Sequence, residues 1–73
     1  MTLRDIKIGG KCKISCIKLR DDTARRLEML GLTQKTPVQL LNKKKSGAVI
    51  VKVRGTRFAL GREIAEGIEV SED

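Results

Sequence analysis

Two thiols, a run of three carboxylates and a group of six cations are the residues of this chain whose types and spacing invite chemistry. Cys12 and Cys16 lie in Lys11 to Lys18, where apolar and polar residues alternate; a strand there puts Cys12, Ile14 and Cys16 on one face. Soft sulfur ligands suit zinc, but two thiolates leave a tetrahedral site half empty unless a second chain completes it. The spacing is also not the Cys-x-x-Cys of redox and zinc motifs. An extended strand holds residues four apart at roughly 13 Å, beyond disulfide reach. With Ile14 between them, both cysteines read as small buried hydrophobes. Glu63, Glu66 and Glu69 would suit a hard cation if they converged. On what reads as a polar turn and a strand edge they are ordinary surface. No metal site and no cofactor is expected.

Catalysis finds equally little support. The chain contains no His, which removes the commonest general base and the usual activator of a Ser or Cys nucleophile. Gly9-Gly10-Lys11 lacks the Gly-x-x-x-x-Gly-Lys-Ser/Thr frame of a phosphate loop. A non-enzymatic protein is expected.

The cations are Lys43, Lys44, Lys45, Lys52, Arg54 and Arg57, read as one cluster on a hairpin and its neighbouring strand. Their plainest reading is a soluble, well-charged turn. The functional reading is a docking face for an acidic partner, with Ile50 and Leu41, off the core faces, as its apolar centre. Nucleic acid ranks third. The chain carries 16 Lys+Arg against 9 Asp+Glu, net +7, but it has one Phe and no Trp or Tyr, and barrel-type single-strand binders stack bases on aromatic rings.

These residues must be positioned by a small domain. Seventy-three residues make a single domain, 1–73, near the size at which one core just suffices. Apolar content of 40% supports a core built of Ile, Leu and Val. The start, Met1-Thr2-Leu3-Arg4-Asp5-Ile6, has no long apolar run and no segment reaches transmembrane length, so a cytoplasmic protein is expected.

Gly9-Gly10 turns into the first strand, in which Ile17 breaks the alternation and Leu19 follows it, so a bulge or the strand's end is expected there. Asp21-Asp22-Thr23 then caps a short helix. Ala24, Leu27 and Leu30 share its inner face, and Gly31 takes the left-handed position beyond its end. So short a helix must dock its Leu27/Leu30 stripe on the β core. Pro37 opens the next strand, with Val38 and Leu40 on one face. Val49, Val51 and Val53 follow after the lysine turn. Gly55-Thr56 leads into Arg57 to Leu60, Gly61 to Gly67 reads as a tight polar turn, and Ile68 and Val70 form the last strand. The expected fold is mainly β: a small barrel of about five strands, with one short helix inserted after strand one.

Three blocks carry a resemblance to a known family: Gly10 before strand one; Arg26, Leu27, Leu30, Gly31 and Leu32 at the helix end; and Ala59, Leu60, Ala65, Ile68 and Val70 at the close. In these positions the chain resembles the FeoA family over nearly its whole length. The resemblance implies an SH3-like β-barrel. It also implies a role in ferrous-iron uptake through the cytoplasmic part of the FeoB transporter, a membrane protein with its own GTPase domain. Similar barrels form C-terminal domains of metal-dependent repressors. Two positions depart from the family pattern. Lys35 stands where a glycine is usual, so that a turn favouring positive φ must be built differently, and Gly61 stands where a basic residue is common, with Arg62 next.

The sequence thus leads to a binding module that supports a ferrous-iron transporter, with membrane contact only indirect and homo-oligomerisation left open. A small nucleic-acid-binding barrel is the alternative from another class. An isolated repressor-type regulatory domain ranks lower, because no helix-turn-helix precedes the barrel.

Overall fold

A computed structural model describes residues 1–72. The chain opens with a 3-10 turn over Leu3–Asp5, closed where the Thr2 N–H donates to Asp5 Oδ2 at 2.8 Å. The elements that follow are β1 (Lys11–Ile17), α1 (Asp21–Met29), β2 (Pro37–Lys43), β3 (Val49–Val53), β4 (Thr56–Leu60), α2 (Arg62–Gly67) and β5 (Ile68–Glu72). All five strands join one antiparallel sheet in the order β4-β3-β2-β1-β5. The sheet curls around a single aliphatic core, with β4 and β5 as its two edges.

Strict alternation explains which side chains go inside. Val49, Val51 and Val53 on β3 are buried, as are Val38 and Leu40 on β2 and Ile68 and Val70 on β5, because a two-residue period returns every second side chain to the same face. Leu3, Ile6, Leu27, Leu32 and Ala65 close the core from outside the sheet. Gly10 is required where the N-terminal turn enters β1: its N–H donates to the Lys7 carbonyl at 2.8 Å, and a Cβ there would lie 2.9 Å from that same oxygen.

Four features differ from the sequence expectations. First, Cys16 is exposed, not buried beside Cys12 and Ile14. Between Ile14↔Val70 and Cys16↔Glu69 the register shifts by one residue. This bulge at Ser15 flips the parity of the strand, so Ile17 rather than Cys16 packs against the core.

Second, Leu30 does not dock. It is 51% exposed, whereas Leu27 is 3% exposed. Gly31 has φ +93°, its N–H donates to the Glu28 carbonyl at 2.9 Å, and the Leu32 N–H reaches back to the Leu27 carbonyl at 2.8 Å. That pair of bonds is a Schellman motif, which sets an apolar contact between the residues at its two ends. Leu27 and Leu32 make up the buried pair, and Leu30 sits on the outside of the turn between them. At the other end of α1 no side chain caps the helix. Asp22 Oδ1 instead accepts from the adjacent Thr23 N–H at 2.8 Å and lies 3.7 Å from Arg20 Nε.

Third, residues 62–67 form a helical turn, not a simple polar turn, with Gly61 as its N-cap and Ala65 buried beneath it. Fourth, Lys35 itself takes the left-handed conformation, with φ +71°. The turn a glycine would make is therefore kept. It is held by the Lys35 N–H donating to the Ile14 carbonyl at 2.6 Å, and by the buried Thr36 hydroxyl, which accepts from the Thr33 N–H at 3.2 Å and donates to the Gly31 carbonyl at 3.3 Å.

Candidate partner-binding surface

The β3–β4 hairpin presents the first part of the surface. Its two-residue turn, Arg54-Gly55, has positive φ at both positions, +51° and +82°. This is the mirror-image turn whose twist matches that of paired strands. It aligns Lys52 with Arg57 and Ile50 with Ala59 across the hairpin, while β2 brings Gln39 against Lys52. With the valines turned inward, the outer face carries Gln39, Lys52 and Arg57 in one row and Asn42, Ile50 and Ala59 in the next. Arg54 stands at the turn, where a shallow cleft of ≈ 210 Å³ is bounded by Pro37, Gln39, Lys52 and Gly55 among others. Ile50 is half-buried on this face. Leu41, also half-buried, is the extra residue of a bulge in β2 between Leu40 and Asn42.

The six expected cations do not form one cluster. Lys43, Lys44 and Lys45 lie at the β2–β3 turn, and Lys52, Arg54 and Arg57 at the opposite end of the β3–β4 hairpin. The length of β3 puts roughly 13 Å between the two ends. Lys43 Nζ also donates to the Arg4 carbonyl at 2.9 Å, which ties that turn to the N-terminal segment. Lys44 and Lys45 are exposed.

Charge is segregated. Between Glu28 and Glu63 the chain has no Asp or Glu, yet it carries all six of those cations and Lys35. The carboxylates that pair do so elsewhere. Glu66 meets Arg4 at 2.7 Å and Arg62 at 3.7 Å, and Glu69 meets Lys18 at 3.2 Å and the N-terminal ammonium at 3.3 Å. The Lys18 hydrogen bond first, and the ammonium second, hold the Glu69 carboxyl below the usual carboxylate range. Lys52, Arg54 and Arg57 meet no carboxylate among the described residues. Lys52 and Arg57 instead face each other across the hairpin, an arrangement that costs stability until an anion neutralises it.

A second cleft, of ≈ 250 Å³, lies between α1 and the bulged end of β1, lined in part by Ser15, Cys16, Ala24, Glu28 and Gln34. Its one thiol, Cys16, is separated by the parity flip from the buried Cys12, so the two sulfurs do not share a face. Among the described residues no group of three Cys, Asp or Glu side chains converges as metal ligands, and no helix is long and apolar enough to cross a membrane. Met29, 84% exposed, and Leu30 add an apolar step at the end of α1 that the helical period alone did not separate from the core stripe.

Comparison with known proteins places this geometry. The family model described as the FeoA domain matches residues 1–72. The solution structure of an FeoA protein from Chlorobium tepidum superposes with a TM-score of 0.90 at 27% identity, covering 99% of this chain and 70% of that one. The zinc complex of FeoA from Stenotrophomonas maltophilia matches with a TM-score of 0.82 at 29% identity, over 97% of this chain and 89% of that one. That protein is described as a procaryotic SH3-domain protein proposed to act as a bacterial ferrous iron transport activating factor. The apo form of the manganese-activated repressor ScaR shares the fold, with a TM-score of 0.87 at 24% identity, over 100% of this chain and 35% of that one. The SH3-like architecture is thus common to all of them. No curated protein matches the chain at a significant level.

Proposed function

This chain belongs to the FeoA family, and on that premise we propose that it is a non-enzymatic accessory protein of ferrous-iron transport, acting from the cytoplasmic side by contact with an FeoB-type transporter. The observation that carries the reading is the FeoA-domain match over residues 1–72. The geometry supports contact rather than catalysis as the mode of action. The β3–β4 hairpin displays exposed cations that meet no carboxylate among the described residues, and such a face steers an acidic surface toward it and sets the orientation of docking.

The test is capture of the cognate transporter's cytoplasmic domain by the purified protein, with duplex and single-stranded nucleic acid as controls. Two triple variants separate the two cationic ends: Lys43→Glu with Lys44→Glu and Lys45→Glu, and Lys52→Glu with Arg54→Glu and Arg57→Glu. Both should fold, because exposed charges contribute little to stability. Capture should weaken for the second variant, fall as salt rises, and be matched by reduced ferrous-iron uptake in cells. Normal uptake with both folded variants moves the contact elsewhere, to the Met29–Leu30 step. Salt-sensitive retention of nucleic acid at physiological ionic strength, without transporter capture, favours the nucleic-acid reading.

A further inference from the structure

β4 ends the sheet, and its outer backbone is open. The turn Arg54-Gly55 makes Val53↔Thr56 the pair that exchanges both hydrogen bonds; in an antiparallel ladder every second pair does the same. Val51↔Phe58 and Val49↔Leu60 are therefore the other bonded pairs. Arg57 and Ala59 direct their N–H and C=O groups away from β3, toward a side where the sheet has no further strand. Among the described residues no backbone or side-chain hydrogen bond from another element reaches either of them, and both are exposed.

We infer that the β4 edge is a docking strand for an extended, acidic segment of a partner protein, which adds to the sheet through the backbone of Arg57 and Ala59 while its carboxylates meet Arg57, Lys52 and Arg54. The inference rests on the partner-contact reading above and names the surface and the chemistry of what it takes. Strand addition supplies affinity through main-chain bonds and specificity through alternate side chains. Here the alternate position on the outer face is a cation already opposed by another cation, in a stretch of chain with no acidic residue. A carboxylate placed beside Arg57 relieves that repulsion.

A second copy of the chain is the wrong occupant. Edge-to-edge pairing would bring Arg57 close to its own copy between two chains of net charge +7, and charge on an edge strand is a common guard against self-pairing. Nucleic acid fits no better: the one aromatic ring, Phe58, is half-buried and packs against the core, not on the edge.

The probe is a capped eight-residue peptide alternating Glu and Val, with a Lys–Val peptide as control, followed by amide NMR. The Glu–Val peptide should shift the Arg57 and Ala59 amides and slow their hydrogen exchange at least tenfold, while the Lys–Val peptide should not. Ala59→Pro removes an outward N–H without breaking a bond to β3, as an edge strand tolerates, and should abolish binding. Arg57→Glu, which keeps the backbone, should weaken binding at least tenfold and decides the matter if the proline variant does not fold. A Glu–Val peptide that leaves both amides unmoved, or that binds folded variants as it binds the wild type, overturns the inference. Capture of the transporter domain undiminished by Arg57→Glu overturns it too while leaving the transporter reading intact. Peptide binding at Arg57 and Ala59 without any transporter capture upholds the edge and removes the transporter.

Discussion

Replacing Leu27 by Ala deletes three carbons from a side chain that is 3% exposed. At about 0.8 kcal/mol per buried methylene the transfer loss is roughly 2.4 kcal/mol, and the cavity left behind raises the total to about 3–4 kcal/mol. The same substitution at Leu30, 51% exposed on the outer side of the Schellman turn, forfeits only part of the transfer free energy and opens no cavity, so its cost is about 1 kcal/mol or less. For a domain of this size 1 kcal/mol moves the melting temperature by roughly 4–8 °C. Leu27→Ala is therefore expected to lower Tm by at least about 12 °C, or to unfold the domain outright, whereas Leu30→Ala stays within about 8 °C of wild type. Urea unfolding at a common slope, with Tm by circular dichroism, measures both. Equal losses, or a larger loss at Leu30, would refute the orientation of α1 and with it the argument that the two bonds around Gly31 choose which leucine goes inside.

Three further outcomes test other parts of the structure. Lys35→Gly relieves a left-handed conformation that costs a side-chain-bearing residue roughly 1–2 kcal/mol, partly offset by the freer unfolded chain, and should stabilise by about 0.5–1 kcal/mol in urea titration. A thiol reagent should modify the exposed Cys16 quickly and the buried Cys12 only on unfolding, as mass spectrometry of partly labelled protein will report. Glu69 should titrate by carboxyl NMR below its ordinary value of 4.5. Because its folded pKa is depressed, its small contribution to stability is present above that ordinary value and lost as pH falls through the folded one, and Glu69→Gln should remove this acid-side component.

The parts of the fold readable from sequence are those in which local period and global position agree. Val49, Val51 and Val53 alternate over five residues between two turn signals, and the structure buries all three. Gly31 follows an apolar stripe, and it holds the left-handed position that ends α1. Prediction by period fails where a second interaction resets the phase. Cys16 is on the wrong side because a bulge at Ser15 shifts β1 against β5, and such a shift belongs to the pairing of two strands far apart in sequence. Leu30 obeys the helical period, yet the chain leaves the helix one residue later through a motif whose buried partners are Leu27 and Leu32. Residues 62–67 carry no capping side chain and bury one alanine, so six residues gave too little pattern to separate a helical turn from a loop.

The candidate surface divides along the same line. Composition and position exposed the cations, but grouping them by nearness in sequence joined two ends of a hairpin that the strands hold apart. Spacing along a chain does not say which end of a strand a turn occupies relative to its neighbour. Sheet order carries the missing term. Because β4 is last in the order β4-β3-β2-β1-β5, Arg57 is both the cation opposite Lys52 and a residue with a backbone open to a new strand. The surface therefore acquires direction as well as charge. An acidic patch of arbitrary shape would satisfy Lys44 and Lys45 at the exposed turn. Only an extended acidic segment satisfies Arg57 and Ala59 together, through its side chains and its backbone at once.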